Sequence, residues 1–121
     1  MKYLLLIYGQ ESDCANMPPA QAGAMMEEFG KFNQELNAGG KNLGSNRLKD
    51  VASATTVRVR DGKRLVTDGP FAETKEQLGG YYLIEAKDLD EAIAIAAKVP
   101  SARAGSVEVR PVWTMEQAAG R

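Results

Sequence analysis

Asp68 opens the run Asp68-Gly69-Pro70-Phe71, where a carboxylate stands directly before a glycine and a proline. One reading of that run is structural. The aspartate bonds the amides of a turn, glycine permits an unusual φ, proline fixes the next residue, and phenylalanine anchors the loop in the core. The other is catalytic: Asp68 faces a pocket as a general base or polar anchor, a role that calls for burial to raise its pKa. Glu108 and Arg110 form a second pair, two apart on a predicted strand and therefore on one face. The planar guanidinium of Arg110 suits a carboxylate or other anion, and an intersubunit salt bridge is the competing use. Glu73, Lys75 and Glu76 alternate in sign, which fits a solvated loop or the mouth of a cavity beside Glu108 and Arg110. Tyr81 and Tyr82 point to opposite faces of a strand, so one is core and the other can present its hydroxyl to a pocket. Tyr3 and Tyr8 divide in the same way.

Composition removes several alternatives. The 121 residues hold no histidine, so the chain by itself can build neither a Ser-His-Asp or Cys-His arrangement nor a His-ligated zinc or haem site. Proton transfer near neutral pH then falls to a shifted Asp, Glu, Lys, Tyr or Cys. No metal and no cofactor is expected. Fifteen basic against sixteen acidic residues leave a net charge of −1, without the electrostatic footprint of a nucleic-acid binder. Arg58, Arg60, Lys63 and Arg64 do cluster at one hairpin tip, where they read as an edge that discourages strand pairing. A single cysteine, Cys14, permits no internal disulfide, fits a reducing cytoplasm, and reads as incidental in a polar loop. No apolar run is long enough to span a membrane, and Met1 to Tyr8 reads as a strand and not a signal peptide. Gly30-Lys31-Phe32 lacks the glycine and hydroxyl of a phosphate loop.

The elements that must position these residues follow from periodicity. Residues 2–8 read as a strand covered on both faces, and 9–17 as a loop. Pro18-Pro19 suits a helix start. Ala22, Met25, Met26, Phe29, Phe32 and Leu36 make one helical stripe, which Ala38-Gly39-Gly40 ends. Residues 41–54 are ambiguous: Leu43 and Leu48 can anchor a short strand or an ordered loop, while Gly44, Ser45 and Asn46 favour a turn. Thr55–Arg60 and Lys63–Thr67 form a hairpin on the turn Asp61-Gly62, with Val57 facing Val66 and Val59 facing Arg64. Residues 71–78 read as a loop with at most one helical turn. Gly79-Gly80 leads into a strand at Tyr81–Ala86. Asp88 caps a second helix with Glu91 three residues on, buried through Leu89, Ala92, Ile93 and Ala96, widened by Ile95 and Val99, and ended by Pro100. Ser106–Val112 is a last strand. Residues 1–113 thus form one domain, and 114–121 a tail expected to fray.

The order strand, helix, hairpin, strand, helix, strand predicts an α+β fold, a ferredoxin-like antiparallel sheet with two helices on one face. The other face would be bare. Leu4, Leu6, Tyr82 and Ile84 nevertheless supply apolar side chains to both faces, which predicts a homodimer packed sheet to sheet.

The run from Asp68 through Phe71, Lys75, Gly79 and Gly80 to Tyr82 resembles the signature of the DGPF proteins, within the YCII-related family. Met1–Tyr8, Ala54–Arg58 and Val107–Val112 are similar to the same family, so the resemblance spans nearly the whole chain in order. It implies a dimeric α+β barrel. It also implies a His–Asp pair in some relatives and, in one branch, a link to dehalogenation of hydroxylated aromatics. Without histidine that pair has no counterpart here beyond Asp68. The placing of DGPF genes near extracytoplasmic-function sigma factors implies a stress or signalling context, with a regulatory protein as partner.

Two functions follow. In the first, a small organic acid or aromatic binds a pocket of the dimer, with Arg110, Glu108, Tyr81, Glu73 and Lys75 around it. Asp68 would then carry cofactor-free acid/base chemistry of a lyase or isomerase kind. In the second, the pocket senses a ligand or the dimer docks a regulatory protein without turnover. Gly69, Pro70, Phe71, Gly79 and Gly80 shape the loop in either reading.

Overall fold

The computed structural model describes residues 1–120. Its longest helix shows how local sequence sets the elements. Pro18 stands at the cap and Pro19 at the first helical position of α2 (Pro19–Ala38), where a missing N–H costs little. At the other end Gly40 takes φ +68°. The Gly40 N–H donates to Asn37 O and the Lys41 N–H to Leu36 O, each at 3.0 Å. Those paired bonds close the helix as a Schellman end. The helix α3 (Leu89–Ala97) starts where Asp88 Oδ1 accepts the Glu91 N–H at 2.9 Å. Glu91 in turn accepts the Lys87 N–H at 3.2 Å, one residue before the cap.

The strands are β1 (Lys2–Gly9), β2 (Asn42–Arg47), β3 (Thr55–Arg60), β4 (Lys63–Asp68), β5 (Gln77–Glu85) and β6 (Ser106–Pro111). One sheet runs β2-β5-β1-β6 with every neighbour antiparallel, and β3-β4 form a separate ribbon. With two short helices, α1 (Glu11–Ala15) and α4 (Met115–Ala119), the described residues make a mixed α+β chain of four α-helices and antiparallel sheets. No helix among them is long and apolar enough to cross a membrane.

The core lies on one face of the four-stranded sheet. Tyr3, Leu5, Tyr82 and Ile84 meet Phe32 and Leu36 of α2 and Ala92, Ile95 and Ala96 of α3, all buried, with Ile7, Val107 and Val109 packed against them.

The sequence expectations need correction at several points. The hairpin does not belong to the main sheet. Its partner position is filled by β2, the short strand that residues 41–54 left open; Gly44, Ser45 and Asn46 form no turn there, because pairing with β5 holds them extended as an edge strand. The hairpin is an excursion between β2 and β5, although its expected register is correct: Val57 lies opposite Val66 and Val59 opposite Arg64. The 9–17 stretch contains α1, and β5 begins at Gln77, before Gly79-Gly80. Met26 is 72% exposed, and Leu89 and Ile93 are about half exposed; the buried stripe of α3 is Ala92, Ile95 and Ala96, continued by Val99. Both faces do carry apolar side chains, Tyr82 and Ile84 on the helical side and Leu4 and Leu6, with Leu83, on the other. Past Trp113, Thr114 and Gln117 cap α4 through reciprocal bonds of 3.0 Å each.

Candidate functional site

The face of the sheet away from α2 and α3 is built by alternation. Because Tyr3, Leu5 and Ile7 point to the helices, Leu4, Leu6 and Tyr8 point the other way. Strand register then aligns their neighbours. Leu4 lies between Leu83 and Arg110, and Leu6 between Tyr81 and Glu108. Gly44 and Asn46 of β2 extend the two rows past Leu83 and Tyr81. The result is an apolar floor of Leu4, Leu6 and Leu83, each partly buried, between two polar walls. Tyr81 and Glu108 flank Leu6 at two strand spacings, about 10 Å.

One wall is a charged cluster. Arg110 Nε donates to Glu108 Oε2 at 2.9 Å, and Nη2 donates to the same oxygen. The Tyr8 hydroxyl donates to Glu108 Oε1 at 3.4 Å. The bond to Glu108 and its charge raise the Arg110 pKa above its ordinary value, so the guanidinium stays charged. Arg110 is 65% exposed. The opposite wall is neutral: Asn46 Nδ2 donates to the Tyr81 hydroxyl at 2.8 Å, leaving the phenol proton available to another acceptor. Such a surface can bind a flat, partly apolar molecule with an anionic end and a hydroxyl end. Among the described residues no group of three or more Asp, Glu, Cys or His side chains is placed to hold a metal ion.

The expected site residues divide into two sets. Arg110, Glu108 and Tyr81 come together on this face. Asp68 ends β4 on the separate ribbon, exposed and opposite Thr55. Its side chain does not hold the turn, as the structural reading of that run expected. Gly69 does, with φ +94° and its N–H donating to Ala54 O at 2.7 Å, helped by the Thr56 hydroxyl donating to Gly69 O at 2.8 Å. Phe71 anchors nothing in the core and is 80% exposed. Pro70, Glu73 and Lys75 are exposed too. Glu76 alone of the charged loop reaches the sheet, accepting the Ser106 hydroxyl at 2.8 Å.

Gly79 and Gly80 have distinct structural reasons. The β1–β5 register slips between Ile7 and Tyr8, so that Tyr8 pairs with Leu78 and Gly79 is the extra residue of the bulge. A Cβ on Gly80 would meet Asn46 O at 3.0 Å. Sequence reasoning gave Asn46 to a turn and not to the site, and did not single out the clasp at the ribbon's base. There Glu11 Oε2 accepts the Val51 N–H at 2.9 Å and the Glu11 N–H donates to Gln77 Oε1 at 3.0 Å. No local pattern marks either one.

Two open clefts lie on the helical side. One of about 320 Å³ runs between α2 and the segment after α3, beside Glu28, Phe32, Val99 and Arg103, and one of about 180 Å³ adjoins it at Leu36 and Lys41. The Arg103–Glu28 ion pair at 2.5 Å spans the larger. Neither is lined by an expected site residue.

This sheet, with its helices on one side and a patterned face on the other, belongs to a protein of the YCII-related family: the YCII-related domain matches residues 1–116, nearly the whole chain. An uncharacterized protein of Rhizobium meliloti (strain 1021) is similar to it, with 38% identity over 114 residues that cover 93% of this chain and 92% of that one.

Proposed function

We propose that the chain is a homodimeric α+β barrel protein of the DGPF branch, binding a small organic acid or aromatic between paired sheet faces. The strand order β2-β5-β1-β6, with α2 and α3 on one side, supports a ferredoxin-like half-barrel. The observation that carries the reading is the uncovered face, where a leucine floor separates Tyr8, Glu108 and Arg110 from Tyr81 and Asn46. A monomer has little reason to arrange apolar side chains on a face that nothing covers. Pairing two such faces excludes water and strengthens the charge of Arg110 toward a ligand carboxylate. The ring would lie on Leu4, Leu6 and Leu83, and a distal hydroxyl would reach Tyr81. The Asp68 carboxylate stands exposed on the ribbon, away from this face of its own chain, and takes no part in the binding.

Native mass spectrometry and calorimetry with small hydroxylated aromatic acids test it. The expected result is a dimer that binds such an acid, and an R110Q dimer that binds at least about tenfold more weakly. A monomer, or a dimer whose affinity ignores R110Q, overturns it. A dimer that takes none of these acids leaves the regulatory-partner role drawn from the family resemblance.

A further inference from the structure

Glu108 and Arg110 spend their hydrogen bonds unevenly. Two Arg110 donors, Nε at 2.9 Å and Nη2, go to Glu108 Oε2. Part of the guanidinium fork is thereby taken, while Nη1 has no hydrogen-bond partner among the described residues. Glu108 Oε1 has only the Tyr8 hydroxyl, at 3.4 Å. That is well beyond the ordinary O–H···O length of about 2.7–2.8 Å, so a better-placed donor can take this oxygen. Both side chains are open to a ligand, Glu108 at 39% and Arg110 at 65% exposure. Strand register sets Glu108 beside Leu6 and Arg110 beside Leu4, so an unused acceptor and unused donors border the leucine floor together.

Charge then decides which acids fit. Arg110 is already balanced by Glu108, so a ligand carboxylate on Nη1 makes the cluster net negative and sets two carboxylates near each other. An acid with no hydrogen-bond donor meets that repulsion in full. A hydroxyl on the carbon next to the ligand carboxylate relieves it, donating to Oε1 in a charge-assisted bond while the carboxylate takes Nη1. We propose that Glu108 is a specificity-determining residue of this face: its Oε1 accepts a hydroxyl adjacent to the ligand carboxylate, and the acid bound there is an aromatic 2-hydroxy acid. This rests on the preceding reading of the face as an acid site and names the class of acid within it.

Calorimetry on the full chain with mandelate and phenylacetate tests it, since the two acids share ring and carboxylate and differ by the one hydroxyl. The tighter-binding enantiomer of mandelate is expected to bind at least about tenfold more strongly than phenylacetate. The variant E108V keeps a strand-forming side chain and removes the acceptor. It is expected to bring the two affinities within about twofold, by weakening mandelate while binding phenylacetate at least as tightly as the wild type does. A merely structural role for Glu108 predicts weaker binding of both. Equal binding of the two acids by the wild-type chain, with R110Q still weakening both, overturns the role of Glu108 and leaves the acid site standing. An E108V chain that keeps the preference for mandelate does the same. A chain that binds neither acid overturns the acid site and this inference with it.

Discussion

Tyr82 shows how one buried group ties packing to pH. Its ring meets Phe32 edge to face at 5.2 Å and 84°, and its hydroxyl donates to Asn33 Oδ1 at 2.5 Å. Burial pushes the phenol's pKa up, only partly offset by the bond to Asn33. In the unfolded chain the phenol ionises first, near about pH 10. The folded state therefore holds the proton longer, and stability falls as pH rises past that point. Y82F is expected to flatten this alkaline limb while costing about 1 kcal/mol at neutral pH, read from urea midpoints. Glu91 acts in the opposite sense. Its bonds from Lys41 and the Lys87 N–H, with the charges of both lysines, hold its pKa below the ordinary value. Its contribution is present at neutral pH and is lost as the medium acidifies through the folded pKa. E91Q should thus narrow the stability difference between about pH 7 and about pH 3. Leu5, wholly buried between the sheet and its helices, should cost about 2–5 kcal/mol on truncation to alanine.

At the scale of elements, backbone approach decides what side chains cannot. A Cβ on Gly105 would lie 2.1 Å from Tyr8 O and 3.2 Å from Gly9 Cα, both backbone atoms of β1. G105A must force β6 away from β1 at the end where Tyr8 reaches Glu108. It is expected to cost about 3 kcal/mol or more in thermal unfolding, well above the effect of a surface alanine. G40A meets open space but keeps a left-handed backbone, so about 1 kcal/mol is expected. The hairpin was legible because its information is local: Val and Arg alternating into Asp61-Gly62 set turn and register together. The strand Asn42–Arg47 was not, since its polar residues have little preference for an extended state and are ordered by β5 alone. In α3 the expected Ala92 and Ala96 are buried, but Ile95 and Val99 take the burial expected of Leu89 and Ile93, because all four are apolar and periodicity alone cannot rank them.

For the whole molecule, the surface that wants covering is the leucine floor. If the floor is an interface, L6E places a carboxylate in a dry contact and should shift the chain to a folded monomer, seen as an unchanged circular dichroism spectrum with halved mass. The same substitution leaves the helical core untouched, because Leu6 points away from it. Arg110 and Glu108 were placed on this face by simple alternation along β6, and Tyr81 by alternation along β5. Asp68 was assigned to the site by motif alone, and in one chain it lies on the ribbon and not on this face.

The sequence by itself determined which chemistry is closed to the chain, since no histidine is present in any fold. It also determined the ends of the long helix, the cap of α3, the hairpin and the alternation along β6, all of which depend on neighbours a few residues away. Only the tertiary structure decided that the hairpin stands outside the sheet, that β2 fills the edge, and that Asn46 meets Tyr81 while Phe71 meets solvent. Those outcomes depend on pairings between residues tens of positions apart, whose energies no local pattern encodes.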